Sequence, residues 1–236
     1  MAAVSLLSTR GLTRRFGGLT AVDGVDLDLG TGEIRALIGP NGAGKTTLVG
    51  LICGRIAPSA GTIRFEGRDI TALPAHARVA LGIAYTFQIT AIYARLPVFD
   101  NVALAVQRRG APDLAAETLA ALDRVGLADR AGQVAGTLAY GHQRLLEVAM
   151  GLALAPKLLI LDEPTQGLAD AEIETFKRLV REVARSATVL LIEHNMELVM
   201  DLADRITVLN FGEVLAEGTP AEIRADRAVQ AAYLGA

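Results

Sequence analysis

The chain has 236 residues, of which 51% are hydrophobic and 21% charged, and its formal net charge at pH 7 is -3. This length is enough for one large domain, or two small ones, with a sizeable core. No run of basic residues stands out, which argues against a nucleic-acid-binding protein, because that class usually carries a basic footprint.

The single cysteine, Cys53, excludes a disulfide within the chain and fits a reducing cytosol. It lies in an apolar helical stretch, so we expect a small core residue and no reactive thiol. The longest apolar run is broken by Pro156 and Lys157, whereas a membrane-spanning helix needs about 20 apolar residues. The N-terminal segment lacks the basic start and long apolar core of a signal peptide. We therefore expect contact with a membrane only by docking.

The predicted elements change character along the chain. The first third predicts short strands: "LTRRFGGLTAVDGVDLDL" alternates around a Gly-Gly turn, and "EIRALIG" and "TIRFEG" follow. From residue 96 to about 134, Ala, Leu and Arg at helical spacing predict a helical insertion. After residue 140, helices alternate with the apolar strands "LLIL", "TVLLIE" and "ITVLN", and short helices end the chain. This alternation predicts a mainly parallel sheet covered on both faces.

The segment "GPNGAGKTT", residues 39–47, matches the P-loop pattern between an apolar strand and an apolar helix. Its glycines expose backbone N–H groups to phosphate oxygens, Lys45 supplies a charge to the β- and γ-phosphates, and the Thr46 hydroxyl can bind Mg²⁺. A glycine-rich turn with a surface lysine is the alternative, and the strand–helix context favours the phosphate site. The predicted nucleotide-binding residues here are Gly39, Asn41, Gly42, Gly44, Lys45, Thr46 and Thr47.

An acidic pair follows the apolar strand of "LLILDEPT". We expect Asp162, at the strand end, to hold Mg²⁺ through water. Successive strand side chains alternate, so Glu163 is expected to point elsewhere, where it could polarise a water for attack on a γ-phosphate. A solvated turn is the alternative interpretation, and the P-loop together with the buried strand favours the catalytic one.

A second segment, "LAYGHQ" at residues 138–143, opens a helix with a Tyr-Gly pair. Glycine lets a backbone approach a ligand closely, and the N-terminus of a helix attracts anions. The segment contains no lysine, so it predicts an anion site that lacks a cation of its own.

In this order and spacing, the motifs resemble those of the nucleotide-binding subunit of ABC transporters, over the whole chain. The ordered set comprises the P-loop, Gln88 in "AYTFQ", the signature "LAYGHQ", "LLILDEP" and His194 in "LLIEHNM". The resemblance implies that Gln88 senses Mg²⁺ and the attacking water and that His194 contacts the γ-phosphate. It also implies that Phe16 stacks on adenine, with an ordinary core phenylalanine as the alternative. Glu163, His194 and Gln88 would be catalytic, and Thr46, Gln88 and Asp162 would serve the metal.

The resemblance implies an α/β fold: a P-loop NTPase with a RecA-like mainly parallel sheet, an N-terminal antiparallel β subdomain and an inserted helical subdomain. Residues 1–236 would form a single ABC ATPase domain, with the helical subdomain at about 89–137 and the signature helix at 138–154. ATP and Mg²⁺ are the implied cofactors. The signature residues would close over the γ-phosphate held by a partner ATPase subunit, either a second copy or a different chain; these residues are Ala139, Tyr140, Gly141 and Gln143.

The other implied partners are polytopic membrane permeases, which the helical block would contact, and indirectly a substrate-binding protein. The implied location is peripheral, on the cytoplasmic face of the inner or plasma membrane. "FGGLTAV", "GIAYTFQ" and "EGTPAEIRAD" are most similar to the ATPases of branched-chain amino acid importers. Importers of urea and short amides, exporters of lipid or polysaccharide, and soluble ABC ATPases outside transport are the alternatives.

Two positions depart from the family pattern. Ala139 stands where the signature usually has serine, so a hydroxyl donor to phosphate is missing. Ala169 stands where Asp or Asn is usual after the acidic pair, and Asp170 is the candidate to replace it in a contact across the dimer.

Overall fold

Two β-sheets organise the chain in the computed structural model, which describes residues 5–86 and 91–234. The strands are β1 (Ser5–Phe16), β2 (Leu19–Gly30), β3 (Ile34–Ile38), β4 (Ala60–Phe65), β5 (Arg68–Asp69), β6 (Ile83–Tyr85), β7 (Leu158–Asp162), β8 (Thr188–Ile192), β9 (Arg205–Asn210) and β10 (Glu213–Gly218). The helices are α1 (Lys45–Ile52), α2 (Ala75–Ala80), α3 (Val98–Arg109), α4 (Leu114–Arg124), α5 (Tyr140–Ala153), α6 (Asp170–Val183), α7 (Met196–Leu202), α8 (Pro220–Ala225) and α9 (Arg227–Leu234).

The N-terminal sheet is antiparallel, with strand order β2-β1-β4-β5. Gly17 and Gly18 join β1 to β2, and Gly17 has a left-handed backbone, φ 57°, that glycine adopts without steric cost. The predicted hairpin and the predicted strand "TIRFEG" are confirmed by these elements.

The second sheet has the order β10-β9-β3-β8-β7-β6, and all its pairs are parallel except β9 with β10. Every residue of β3, β7 and β8 is buried, as expected for parallel strands covered on both faces. The predicted α/β fold with a mainly parallel sheet is thus confirmed. The carboxyl ends of these strands lie at one edge of the sheet, which is where ligands bind in such folds.

The predicted helical insertion contains α3 and α4, which pack on α5. Val102, Leu122 and Leu146, one from each helix, belong to the same buried cluster as Leu159 of the sheet. The helical insertion is therefore joined to the second sheet through the apolar face of α5.

A buried arginine supports the P-loop helix at its far end. The guanidinium of Arg78 donates to the carbonyl oxygens of Leu51 (2.7 Å) and Ile52 (2.8 Å), the last carbonyls of α1. A cation there satisfies terminal carbonyls and interacts favourably with the helix dipole. Cys53, next in the chain, is buried, and burial raises the pKa of its thiol to about 12. The expectation of a core cysteine is confirmed, and the raised pKa agrees with an unreactive thiol.

Within residues 5–86 and 91–234, no helix combines the length and the hydropathy needed to span a bilayer.

Candidate nucleotide-binding and hydrolysis site

The P-loop connects the carboxyl end of β3 to the start of α1. Gly44, which precedes the helix, has φ 103°, and a Cβ at this position would lie 2.4 Å from the carbonyl oxygen of Ala21. Only glycine fits both the backbone conformation and this close approach. The N-terminus of α1 can therefore come close to a bound anion. We call residues 39–47 the first anion site.

Lys45 is the cation of the first anion site. Its Nζ donates to the carbonyl oxygens of Gly39 (2.6 Å) and Pro40 (3.1 Å). Burial lowers the pKa of Lys45, while the carboxylates of Glu163 and Asp162 oppose that shift. The ammonium group thus lies at the start of α1, where it reinforces the attraction for anions.

A cavity of about 470 Å³ lies over the P-loop. It brings together the predicted P-loop residues, except Gly39, and both members of the acidic pair, although about 120 positions of sequence separate them. Its lining consists of Leu19, Thr20, Ala21, Asn41, Gly42, Ala43, Gly44, Lys45, Thr46, Thr47, Asp162, Glu163, Ile192 and Phe211.

Asp162 is the last residue of β7 and is only 3% exposed. Its Oδ2 accepts a hydrogen bond from the Tyr85 hydroxyl (2.8 Å), and its N–H donates to Oγ1 of Thr86 (3.2 Å). Burial raises the pKa of Asp162, and the Tyr85 hydrogen bond opposes the shift. Sequence analysis missed Tyr85, which lies in the quoted "AYTFQ" but whose partner is 77 residues away.

Glu163 lies beyond the end of β7, in a left-handed conformation with φ 49°. Glu163 thus lies outside the strand in which side chains alternate, so the direction expected for its side chain stays a prediction, and it lines the same cavity as Asp162. Left-handed backbone costs energy for a residue with a Cβ, and such strain concentrates at functional sites. Glu163 Oε1 lies 3.5 Å from Nδ1 of His194, whose side chain is 70% exposed. The structure thus brings together two residues predicted to be catalytic.

The donor set suits Mg²⁺. Thr46 and Asp162 offer a hydroxyl and a carboxylate oxygen in the same cavity, and Mg²⁺ typically takes few protein ligands and completes its shell with water and phosphate oxygens. In the described part of the chain, no group of three or more His, Cys, Asp or Glu is arranged to hold a metal ion. Thr46 and Asp162 thus fit the protein's share of a Mg²⁺ shell that phosphate oxygens and water complete. Gln88, also predicted to serve the metal, lies outside the described residues.

Phe16, the residue predicted to stack on adenine, is 42% exposed and does not line the cavity over the P-loop. The guanidinium of Arg14 lies over its ring, 4.4 Å from the centroid. The large apolar side chains that line the cavity include Leu19 and Phe211. The role of Phe16 stays a prediction, and its exposure argues against a buried core residue.

The second anion site, which we define as residues 139–143, lies at the start of α5. Ala139 precedes the helix and provides no capping side chain, and Gln143 Nε2 donates to the carbonyl oxygen of Leu138 (2.9 Å). Gly141 is buried, and a Cβ there would lie 2.7 Å from the carbonyl oxygen of Gly167. The glycine is thus required by the loop that follows the acidic pair.

Side-chain hydrogen bonds also tie the start of α5 to its surroundings. The Tyr140 hydroxyl lies 3.2 Å from Gln166 Oε1 and accepts from Nη2 of Arg144 (3.0 Å). Arg144 and Glu147 form a buried ion pair (3.0 Å), and Glu147 accepts the N–H of Ala91 (2.6 Å). Sequence analysis missed this network, which links the second anion site to Ala91.

The position of the missing acidic or amide residue lies at the start of α6. Ala169 precedes the helix, and its N–H donates to Oε2 of Glu172 (2.8 Å). Oε1 of Glu172 lies 3.0 Å from Nε2 of His142 in α5. Asp170 is exposed as the first residue of α6. Whether Asp170 replaces Ala169 in a contact between subunits stays a prediction.

Comparison with known proteins gives consistent matches. The family model for ABC transporters matches residues 22–166, and the model for branched-chain amino acid ATP-binding cassette transporters matches residues 213–236. The high-affinity branched-chain amino acid transport ATP-binding protein BraF of Pseudomonas aeruginosa is 40% identical, over 98% of each chain. The lipopolysaccharide export system ATP-binding protein LptB of Escherichia coli K12 is 35% identical, also over 98% of each chain. A crystal structure of an ABC transporter's ATP-binding cassette in its ADP conformation aligns with a TM-score of 0.88 and 28% identity, covering 98% of this chain and 99% of that one.

Proposed function

The chain belongs to the ABC transporter family of ATP-binding proteins, and we propose that it hydrolyses ATP to power an importer of branched-chain or related amino acids. The name of BraF, at 40% identity, supports this substrate class. The match of residues 213–236 to a branched-chain amino acid model supports it independently, since that region lies outside the general ABC match. Export of a lipid or polysaccharide is the second candidate, because LptB is 35% identical.

The observation that carries the enzymatic proposal is the shared cavity of Lys45, Thr46, Asp162 and Glu163. The cavity combines a cation and a hydroxyl at the start of α1 with two carboxylates at the end of β7, and binding and hydrolysis of a nucleoside triphosphate use groups of these kinds. In this proposal, the P-loop N–H groups and Lys45 bind the β- and γ-phosphates. Thr46 and Asp162 would hold Mg²⁺, which supplies neutralisation of phosphate charge when bound.

In the hydrolytic step, Glu163 orients a water for attack on the γ-phosphorus, and the bond to the β–γ bridging oxygen breaks to release ADP and phosphate. The left-handed backbone of Glu163 and the 3.5 Å separation from His194 support their joint action. We further propose that His194 contacts the γ-phosphate and that Gln88 senses the metal and the water.

The second anion site is proposed to act in a partner ATPase subunit's reaction. Its backbone N–H groups, near Gly141, would close over the γ-phosphate held by the partner's P-loop. Two chains would then enclose two ATP molecules, and hydrolysis would remove the bridge between them. The network from Tyr140 to Ala91 supports a link between this closing motion and the helical subdomain, which we assign to about 89–137 within the single domain 1–236.

The remaining partners follow from the same proposal. Polytopic permeases would dock on the helical subdomain, and a substrate-binding protein would deliver the amino acid to them. The chain would lie at the cytoplasmic face of the membrane as a peripheral subunit.

The test is affinity capture of the tagged chain from detergent-solubilised membranes, followed by transport assay of the captured complex in proteoliposomes. We expect two permease subunits and ATP-dependent uptake of leucine, isoleucine or valine when the binding protein is added. Glu163→Gln chains should assemble the same complex without uptake. A captured complex that extracts lipid or polysaccharide would favour the exporter candidate instead.

A further inference from the structure

An exposed aromatic side chain stands at the turn between β9 and β10. Phe211 is 87% exposed, and its backbone is left-handed with φ 47°. Both features are unfavourable for phenylalanine, because the Cβ clashes in this conformation and the exposed ring gains nothing from burial. Backbone strain of this kind persists where the surrounding structure imposes it, and it clusters at ligand-binding sites.

Backbone hydrogen bonds connect the turn to the first anion site and to β2. The N–H of Gly212 donates to the carbonyl oxygen of Ala43 (3.0 Å), and the carbonyl oxygen of Gly212 accepts the N–H of Asp23 (2.9 Å). Phe211 is therefore held in place by its neighbour's bonds to the P-loop and to β2. Its position does not depend on packing of its own ring.

Phe211 lines the same cavity as Lys45 and Thr46. Leu19, which is 65% exposed, lines this cavity from β2. Two exposed apolar side chains thus share one space of about 470 Å³ with the charged residues of the P-loop. A nucleoside triphosphate has the same division, with charged phosphates at one end and the flat apolar face of a base at the other.

We propose that Phe211 contacts the adenine base of the ATP molecule whose phosphates the P-loop holds. The proposal rests on the ATP-binding function proposed above and adds a residue to it. An aromatic ring stacks on a nucleobase through its open face, and an exposed Phe211 offers such a face inside the cavity. Phe16 does not line this cavity, so an adenine contact by Phe16 and one by Phe211 would be separate contacts.

The experiment uses the purified full chain and two probes, ATP and inorganic tripolyphosphate, each with Mg²⁺. Both carry a triphosphate, and only ATP carries a base. Phe211→Ala should raise the Kd for ATP about fivefold or more, the scale of a lost base–aromatic contact, and leave the Kd for tripolyphosphate unchanged. Phe211→Tyr keeps a stacking ring and should bind ATP as the wild type does.

Two variants serve as matched controls. Tyr93→Ala removes an exposed ring, 56% exposed, that does not line the cavity. Ala155→Gly relieves a left-handed backbone, φ 47°, outside the cavity. Both should bind ATP with wild-type affinity, so that neither loss of a surface ring nor relief of strain explains the effect at Phe211.

An unchanged ATP affinity in Phe211→Ala that unfolds at the wild-type temperature would overturn the proposal. An equal loss of affinity for both probes would overturn it too, because the side chain would then act through the P-loop. A wild-type chain that binds neither probe would instead refute the proposed ATP-binding function, so the two failures are distinguishable.

Discussion

The first and second anion sites both lie at the N-terminus of a helix, and they differ in what surrounds that terminus. The start of α1 opens into a cavity with Lys45, Thr46 and two carboxylates. The start of α5 is packed by Gly141 against Gly167, and neither residue lines that cavity. The nearest arginine in α5, Arg144, is buried in a pair with Glu147.

The difference indicates a division of labour. In the proposed function, the first anion site has its own cation and metal donors and holds a triphosphate by itself. The second is proposed to act with backbone N–H groups and a helix dipole, equivalent to about half an elementary charge, and to complete a site whose phosphate is already neutralised. We therefore expect damage to the first anion site to weaken ATP binding, and damage to the second anion site to slow hydrolysis alone.

The largest effect is expected from a substitution of Glu163, which should slow ATP hydrolysis and leave ATP binding nearly unchanged. Glu163→Gln keeps the shape of the side chain and removes the charge that we propose orients water, so turnover should fall by about 10²-fold or more. ATP affinity should stay within a few-fold of wild type. Steady-state ATPase assays beside equilibrium binding check this, with exposed Glu197→Gln as the control; near-normal turnover in the Glu163 variant would refute the assignment.

Lys45→Ala should break the first anion site itself. Removal of a hydrogen bond to a charged group costs about 1.5–3 kcal/mol, so ATP affinity should fall roughly 10–100-fold, and turnover with it. The control is Lys157→Ala, because Lys157 pairs with Glu66 (2.7 Å) outside the cavity. Isothermal titration with ATP measures both, and equal affinity in the two variants would contradict the role of Lys45.

Phe16→Ala tests the predicted adenine contact. A ring stacked on a base contributes about 1–3 kcal/mol, so ATP affinity should weaken about tenfold, and Phe16→Tyr should have little effect. Fluorescence titration with a labelled ATP analogue measures the change. Unchanged affinity in the alanine variant would leave Phe16 with a structural role only.

The smallest effect is expected from a substitution of Tyr85, which tests how the proposed metal ligand Asp162 is positioned. Tyr85→Phe removes the hydroxyl that donates to Asp162 and leaves the carboxylate in place, so the effect on the metal should be smaller than the roughly 1.5–3 kcal/mol of a whole hydrogen bond to a charged group. The Mg²⁺ concentration that half-saturates ATP binding should rise about three- to tenfold, while ATP affinity in EDTA stays the same. Tyr93→Phe should change neither quantity, and a parallel loss in EDTA would show that Tyr85 supports the fold and not the carboxylate.

The sequence predicted those features that depend on neighbouring residues. The P-loop between β3 and α1, the buried strand before Asp162 and the helix that starts at Tyr140 all follow from local patterns. The Tyr85–Asp162 hydrogen bond, the contact of Gly141 with Gly167 and the position of Phe211 depend on residues far apart in the chain. The left-handed backbone of Glu163 also lies beyond local patterns, because the strand pattern that precedes it ends at Asp162.

The central claim, that the second site serves hydrolysis and not binding, is tested most directly at Gly141. A Cβ at this position would already press on Gly167, so Gly141→Ala reports the steric effect, and Gly141→Asp adds a negative charge where we propose that the partner subunit's γ-phosphate lies. The measurement is turnover of both variants beside their ATP affinity, in the assembled transporter. We predict wild-type affinity in both, reduced turnover in Gly141→Ala, and turnover lowered by a further factor of roughly 10² or more in Gly141→Asp. Normal turnover in Gly141→Asp, or a loss of ATP affinity like that of Lys45→Ala, would contradict the account.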